Sequence, residues 1–345
     1  MQFVGATFAG GRPQTAWEAI PLPMQPIHDV ELRCVACRAT VTVLPYDSLL
    51  QTHEPIECRG CSGTLAQKQG IWLALPKDRQ AYFERFMRDY ETVRRAEGRG
   101  SDNPDFYLSL PYQDQTKRNS WQWAIRSRTY KYIERNIVPT LTTNINRPLA
   151  ILDLGAGNGW MSYRLAKLGH RPIAVDLLTN TFDGLGAAVH YQRALPMFFP
   201  RFQAELDQLP FGTGHFDCAI FNASFHYSQN YDRTLSEAIR CLRPGGTIVI
   251  ADSPSYSHEE YGQKMLAERR KLFRERFGFT SDGLDSCEYL TKDRLRGLEM
   301  RHGLKWTTHA VWYGIRWACR PMVACLKGQR EPSQFRIYTA KVKTS

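Results

Sequence analysis

No apolar run in this 345-residue chain reaches the roughly eighteen residues that a membrane-spanning helix needs, so none is expected. The opening stretch, Met1 to Pro13, carries no basic segment ahead of an apolar one, which argues against a secretory signal and places the chain in the cytoplasm. There is no internal repeat and no low-complexity tract, which sets aside solenoids and fibres. In that setting the nine cysteines are not expected to form a disulfide framework. A last absence is local. Gly155, Gly157 and Gly159 make a glycine-rich turn, but Trp160 stands where a dinucleotide fingerprint needs its third glycine, the position at which only a hydrogen lets helix and strand pack closely. NAD and FAD are therefore not the expected ligands.

What is present divides the chain. At this length there is room for one α/β domain of ordinary size and a smaller module. Residues 1–28, rich in Gly and Pro, read as a loose arm. Residues 29–76 hold two C-x-x-C pairs, Cys34-Val-Ala-Cys37 and Cys58-Arg-Gly-Cys61, at zinc-ribbon spacing. Each pair sits on a tight turn that aims two thiolates at one ion, and Gly60 and Gly63 supply permissive backbone. Four thiolates close the coordination sphere, so the expected Zn2+ is structural, and a module this small relies on it for folding energy. Cys218, Cys241, Cys287, Cys319 and Cys325 are scattered and read as buried or incidental thiols.

The apolar run Leu149 to Leu154 has the length and flanks of a buried parallel strand, and it empties into the turn Gly155-Ala-Gly-Asn-Gly, where backbone can approach a ligand as a helix begins. A second run, Pro172-Ile-Ala-Val-Asp176, ends in a carboxylate placed to accept from ribose hydroxyls. Next come Glu205-Leu-Asp-Gln-Leu-Pro-Phe and Phe216-Asp-Cys-Ala-Ile-Phe-Asn222, then Leu-Arg-Pro-Gly-Gly at 242–246 ahead of Thr-Ile-Val-Ile-Ala-Asp.

These motifs, in this order, resemble the class I S-adenosylmethionine-dependent methyltransferases, in the subgroup with D-x-G-x-G-x-G, L-P-F…F-D and L-R-P-G-G that includes quinone-biosynthesis enzymes. The resemblance covers about residues 121–343. It implies a doubly wound, seven-stranded Rossmann-like α/β sheet, with strands near 149–154, 171–176, 200–204, 216–221 and 246–251 and an antiparallel closing pair near 303–312 and 334–342. It implies Asp153 and the glycines Gly155, Gly157 and Gly159 around the methionine part of S-adenosyl-L-methionine, Asp176 on the ribose, Glu205 at the adenine amino group in place of the usual Asp, Leu206 beside the ring, and Ala156, Leu177 and Asn222 as further cofactor-binding residues. The methyltransferase domain is then 121–345, and 77–120 is a helical connector and candidate lid.

Within that connector, Gln80 to Glu97 is amphipathic, with Phe83, Phe86, Met87, Tyr90 and Val93 near helical spacing, so its apolar face needs a partner. Tyr107, Tyr112, Trp121 and Arg126 are candidates for a lid over the cofactor, or for a packed connector. Methyl transfer needs positioning and exclusion of water more than catalytic groups. If the acceptor must lose a proton, His226 in Asn222-Ala-Ser-Phe-His-Tyr is the candidate base, with Tyr227, Asp252 and Tyr256 behind it; the alternative is a satisfied histidine in the pocket wall.

Two acceptor classes remain open. The chain is formally +11, and residues 292–345 hold twelve Lys or Arg against three Asp or Glu. Beside a zinc ribbon this suits ribosomal or transfer RNA, although an N-P-P-Y type of base-holding motif is lacking. A small-molecule or lipid-like acceptor suits the motif pattern, with a substrate cover built from the insertion at about 254–291. The mixed segment from Trp312 to Lys327 is expected first to cap the sheet; the alternative is peripheral contact with a membrane surface. A non-catalytic, cofactor-binding partner subunit is a further reading, which the intact Asp153, Asp176 and Glu205 disfavour. The sequence leaves the acceptor atom and oligomeric state open.

Overall fold

The computed structural model describes residues 29–143, 145–280 and 282–343; the 1–28 arm lies outside the described residues. Ten strands form the main sheet in the order Thr307–His309, Ile337–Lys341, Leu242–Ala251, Phe216–Asn222, Ala150–Leu154, Arg171–Asp176, Arg201–Gln203, Ile71–Leu73, Thr64–Lys68 and Ile56–Glu57. The first seven are the strands expected from the motifs. Their inner members pair in parallel, and Ile337–Lys341 runs antiparallel to both of its neighbours.

Strand period explains the two layers. Along the central strands Leu152, Leu154, Ile173, Val175, Phe221, Ile248 and Ile250 enter one core, while Ile151, Ala174, Cys218, Ile220 and Val249 enter the core on the opposite face. Both faces are covered, which is why these strands read as unbroken apolar runs. Ala150–Leu154 lies between Arg171–Asp176 and Phe216–Asn222, so the chain winds outward in both directions from it. That switch point opens a crevice at the carboxyl ends of the strands.

The sheet is larger than the seven expected strands because the N-terminal segment joins it. Ile71–Leu73 pairs in parallel with Arg201–Gln203, and the two strands before it continue the edge. The boundary expected at residue 76 therefore divides the sequence but not the packing. Val30, Leu32, Tyr46, Leu49, Leu65 and Trp72 belong to the same core as Leu152 and Phe221. Trp72 stacks on Phe202, and the Tyr46 hydroxyl donates to the Pro172 carbonyl at 2.6 Å. The edge at Arg201–Gln203 is thus paired, and the open edge moves out to the short strand Ile56–Glu57.

The amphipathic stretch after the ribbon is a helix, Lys77–Ala96. It crosses above the carboxyl ends of the strands. Phe83 packs with Leu75 and Leu284, and Phe86 and Tyr90 contact Tyr227. The insertion after Leu242–Ala251 contains a second long helix, Glu259–Phe277.

Candidate active site

The four ribbon thiols converge. Cys34, Cys37, Cys58 and Cys61 place their sulfurs within 4.8 Å of one another. The closest separations are 3.5 Å, too long for a disulfide and near the roughly 3.8 Å edge of a tetrahedral tetrathiolate zinc site. The two turns share one conformation. In each, the amide after the second cysteine donates back to the first cysteine's carbonyl, and that residue, Arg38 or Ser62, has positive φ. A Cβ on Gly60 or Gly63 would press a cysteine sulfur at 3.3 Å, so the absent side chains make room for the cluster. Arg38 ties the first turn to the body through Glu237 and the Leu209 carbonyl.

At the switch point lies a cavity of about 110 Å³ walled by Asp153, Gly155, Ala156, Gly157, Asp176, Leu177, Leu206 and Asn222, among others. A Cβ on Gly155 would collide with Ser224 at 2.2 Å, so only glycine closes this turn. Asp153 accepts from the Ser162 amide and hydroxyl at 3.0 and 2.8 Å, capping the helix Trp160–Lys167 from the strand below. Burial pushes its pKa up to about 7. Asp176 accepts from the Leu178 and Gly157 amides, each at 2.8 Å, and burial raises it to about 6. Each of its oxygens retains a lone pair for a hydroxyl donor. Asn222 Oδ1 is buried without a partner among the described residues, a poised acceptor.

Glu205 is not on the wall of this cavity. Its carboxylate is gripped by Arg79 of the 77–96 helix, with Nη2 at 2.6 Å and Nε at 2.9 Å. The adenine contact implied for it by resemblance meets a carboxylate already engaged. Leu206, next in the chain, does reach the cavity.

A second cavity of about 500 Å³ adjoins the first, and Phe86, Tyr90, Arg94, Arg126, Ala223 and Tyr227 line both. The insertion supplies Arg269, Phe273, Leu284 and Glu288 to its wall, and the C-terminal region supplies Trp317, Arg320 and Phe335. The roof residues Phe86 and Tyr90 belong to the amphipathic stripe legible in the sequence, whereas Arg94 lies outside it and nothing local marks it as a cavity residue. Of the lid candidates, Trp121 and Arg126 reach this cavity. Tyr107 instead stacks on His190 and donates to the Phe182 carbonyl, and Tyr112 lies under Arg164, so neither lines the cavity. Tyr256 is also off this wall.

The charges here are uneven. Arg94 is ion-paired with Asp183, Arg99 with Glu97 and Arg269 with Glu288. Arg126 has no hydrogen bond or ion pair among the described residues and only packs on the Trp123 ring at 4.9 Å. Burial, with Arg94 and Arg99 nearby, lowers its pKa to about 10 against the opposing pull of Asp252. Asp252, also on the wall, accepts from Thr129 through one oxygen while the other is buried without a hydrogen-bond partner among the described residues. His226 faces the cavity with Nδ1 at 3.3 Å from the Ser253 hydroxyl. Burial drives its pKa down to about 4, so it is neutral near pH 7 and a weak base. Burial likewise holds the Tyr227 phenol protonated.

A glycine cradle, a poised carboxylate beyond it and an adjoining roofed cavity lie around the strand ends of one segment that matches a known family. The model described as "Methyltransferase domain" matches residues 152–250. This stretch is a methyltransferase domain. Similar proteins include a malonyl-[acyl-carrier protein] O-methyltransferase of Buchnera aphidicola, 29% identical over 106 residues, which are 30% of this chain and 39% of that protein. Another of that name, from Methylococcus capsulatus, is 27% identical over 152 residues, 43% of this chain and 52% of the relative. The chain thus spans about half or less of the length of these curated relatives. Among solved structures, the 1,6-didemethyltoxoflavin-N1-methyltransferase of Burkholderia thailandensis, bound to its substrate and S-adenosylhomocysteine, is 19% identical, with TM-score 0.41 over 74% of this chain and 90% of that one. The matched residues carry the glycine cradle, Asp176 and the strand that ends in Asn222. The methyltransferase domain supplies the floor of both cavities, and the N-terminal helix and the insertions supply roof and walls. No helix among the described residues is long and apolar enough to cross a membrane.

Proposed function

We propose that this chain is an S-adenosylmethionine-dependent methyltransferase acting on a small-molecule or lipid-like acceptor, at work in the cytoplasm. The observation that carries this reading is the pair of adjoining cavities, one over the glycine cradle and one closed by the 77–96 helix and the insertion, meeting at Arg126 and Tyr227. S-adenosylmethionine supplies a methyl group already activated on a sulfonium. The chain's part is to hold its ribose at Asp176, place an acceptor across the seam and keep water out. Zn2+ held by Cys34, Cys37, Cys58 and Cys61 braces the ribbon and takes no part in transfer.

The relatives are named for O-methylation of malonyl-[acyl-carrier protein], which suggests a carboxylate oxygen as the acceptor atom. The charge pattern supports this extension. A carboxylate is already ionised near pH 7 and needs no base, which suits a cavity whose histidine is a poor one. Arg126, desolvated and without a hydrogen bond or ion pair among the described residues, is a guanidinium that can take such an anion, with Asp252 the wall carboxylate that attracts it from farther off. RNA is not carried forward as an acceptor: Arg294, Arg301 and Arg330 of the basic C-terminal region are engaged by Glu259, Asp232 and Glu268.

The test is transfer of labelled methyl from S-adenosylmethionine into fractionated cell extract. Label in small polar molecules, carrier-bound acyl groups or lipids supports the reading, and base-labile label marks an ester. Label confined to RNA overturns it.

A further inference from the structure

The segment from Trp312 to Lys327, expected first to cap the sheet, packs only in part: Tyr313 is buried against Thr129, and Trp317 rests on Tyr313 and Phe335. Among the residues of its two short helices, Ile315–Ala318 and Arg320–Leu326, only Ala324 is buried. Large apolar side chains instead face outward: Trp312 is 69% exposed, Ile315 71% and Leu326 80%, with Met322 and Val323 also exposed. Single exposed apolar residues are ordinary, but five within fifteen positions are not, and such clusters mark an interaction surface.

Charge says what the surface meets. From residue 300 to residue 330 there is no Asp or Glu, against six Lys or Arg. Arg316 and Lys327 flank the apolar side chains, are exposed, and make no ion pair among the described residues. Tryptophan and long aliphatic side chains interleaved with exposed cations, Arg316 resting over the Trp121 ring at 5.8 Å, suit the boundary of an anionic bilayer, where rings and alkyl groups enter the acyl margin and ammonium and guanidinium groups meet phosphates. The surface is also continuous with the larger cavity. Arg320 lines that cavity, lines the shallow groove formed with Ile315, Arg316 and Val323, and stacks on Trp317 at 3.9 Å.

We propose that the 312–327 segment docks on an anionic lipid bilayer, with Trp312, Ile315, Met322, Val323 and Leu326 entering the headgroup boundary and Arg316 and Lys327 on lipid phosphates, so that a membrane-resident acceptor reaches the cavity past Arg320. The link to the acceptor rests on the methyl-transfer reading; the surface itself does not.

The experiment is flotation of the full, zinc-loaded chain with vesicles of phosphatidylcholine alone and with about 30% phosphatidylglycerol. Partition onto the anionic vesicles should be at least about tenfold stronger and should weaken at high salt. Arg316→Gln with Lys327→Gln should bring it down toward the neutral-vesicle level, and Ile315→Ser with Leu326→Ser should lower it on both. These side chains are exposed, so unchanged melting confirms that the variants fold. Equal partition onto both vesicle types, or binding that neither pair of substitutions reduces, overturns the proposal. So does capture of an acidic carrier protein through these residues with no vesicle binding. Calorimetry with S-adenosylhomocysteine runs in parallel: vesicle binding without cofactor binding defeats the methyl-transfer reading and leaves the surface standing, and the reverse pattern does the opposite.

Discussion

Arg79, in the first turn of the helix that follows the ribbon, chelates the carboxylate of Glu205 beyond the third strand of the methyltransferase core, with contacts of 2.6 to 3.2 Å. This fastens the roof helix to the floor of the site. The glutamate is nearly buried while the arginine is partly open to water, so the pair's stabilisation is screened on one side. A double-mutant cycle of Arg79→Met and Glu205→Gln, followed by denaturant unfolding, should return a coupling of about 1–3 kcal/mol. A coupling near zero means the roof is held by its apolar face alone.

Because Glu205 is engaged and off the cavity wall, Glu205→Gln should weaken S-adenosylhomocysteine binding less than Asp176→Ala, which removes the acceptor facing the cavity. We expect a loss of about tenfold or more for Asp176→Ala, equivalent to about 1.4 kcal/mol. His226→Ala should leave affinity close to that of the parent. Calorimetry that ranks Glu205→Gln above Asp176→Ala restores the adenine contact to Glu205.

Burial raises the pKa values of Asp153 and Asp176 to about 7 and about 6. A cationic sulfonium favours their ionised forms, so binding should release protons, and affinity should rise with pH through this window and level off above pH 8. For folding the sign is opposite. A carboxyl group whose native pKa is raised destabilises the fold once ionised, so these two groups favour the folded state most at low pH and that contribution is lost as pH climbs toward 7. Titration calorimetry in buffers of different ionisation enthalpy detects the proton release; affinity that is flat from pH 5.5 to 8 contradicts it.

Arg126 combines a desolvated charge with no hydrogen bond or ion pair among the described residues, Asp252 attracting it only at longer range. Arg126→Met should leave the melting temperature unchanged or raise it, while methyl transfer falls by about a hundredfold or more. Arg126→Lys should recover little, because an ammonium lacks the planar fork that grips a carboxylate. Loss of stability with full activity instead makes Arg126 a packing residue.

The metal prediction concerns the whole chain. Three of the ribbon's strands extend the main sheet and its other two pack on the same core, so Cys58→Ser or chelation should lower the midpoint of a single unfolding transition, with no separate ribbon melt ahead of it. Metal analysis of the purified chain should find one zinc per molecule. An early transition confined to the ribbon indicates an independent module.

The sequence by itself determined the central sheet and the cradle. Buried parallel strands must be apolar throughout, a turn such as that at Gly155 tolerates no Cβ, and paired thiols need close spacing, so all three leave marks within a few residues. The tertiary structure decided what depends on partners distant in the chain. Whether Glu205 faces a ligand turns on Arg79, 126 positions away, and whether Arg126 is free turns on which acids lie near it. Tyr107 and the 312–327 segment show the same limit in opposite directions. Each is apolar enough to pack, but only the completed fold places one against His190 and leaves the other facing water. Propensity and spacing are local properties; pairing and burial are set by the surfaces that the rest of the chain brings to a residue.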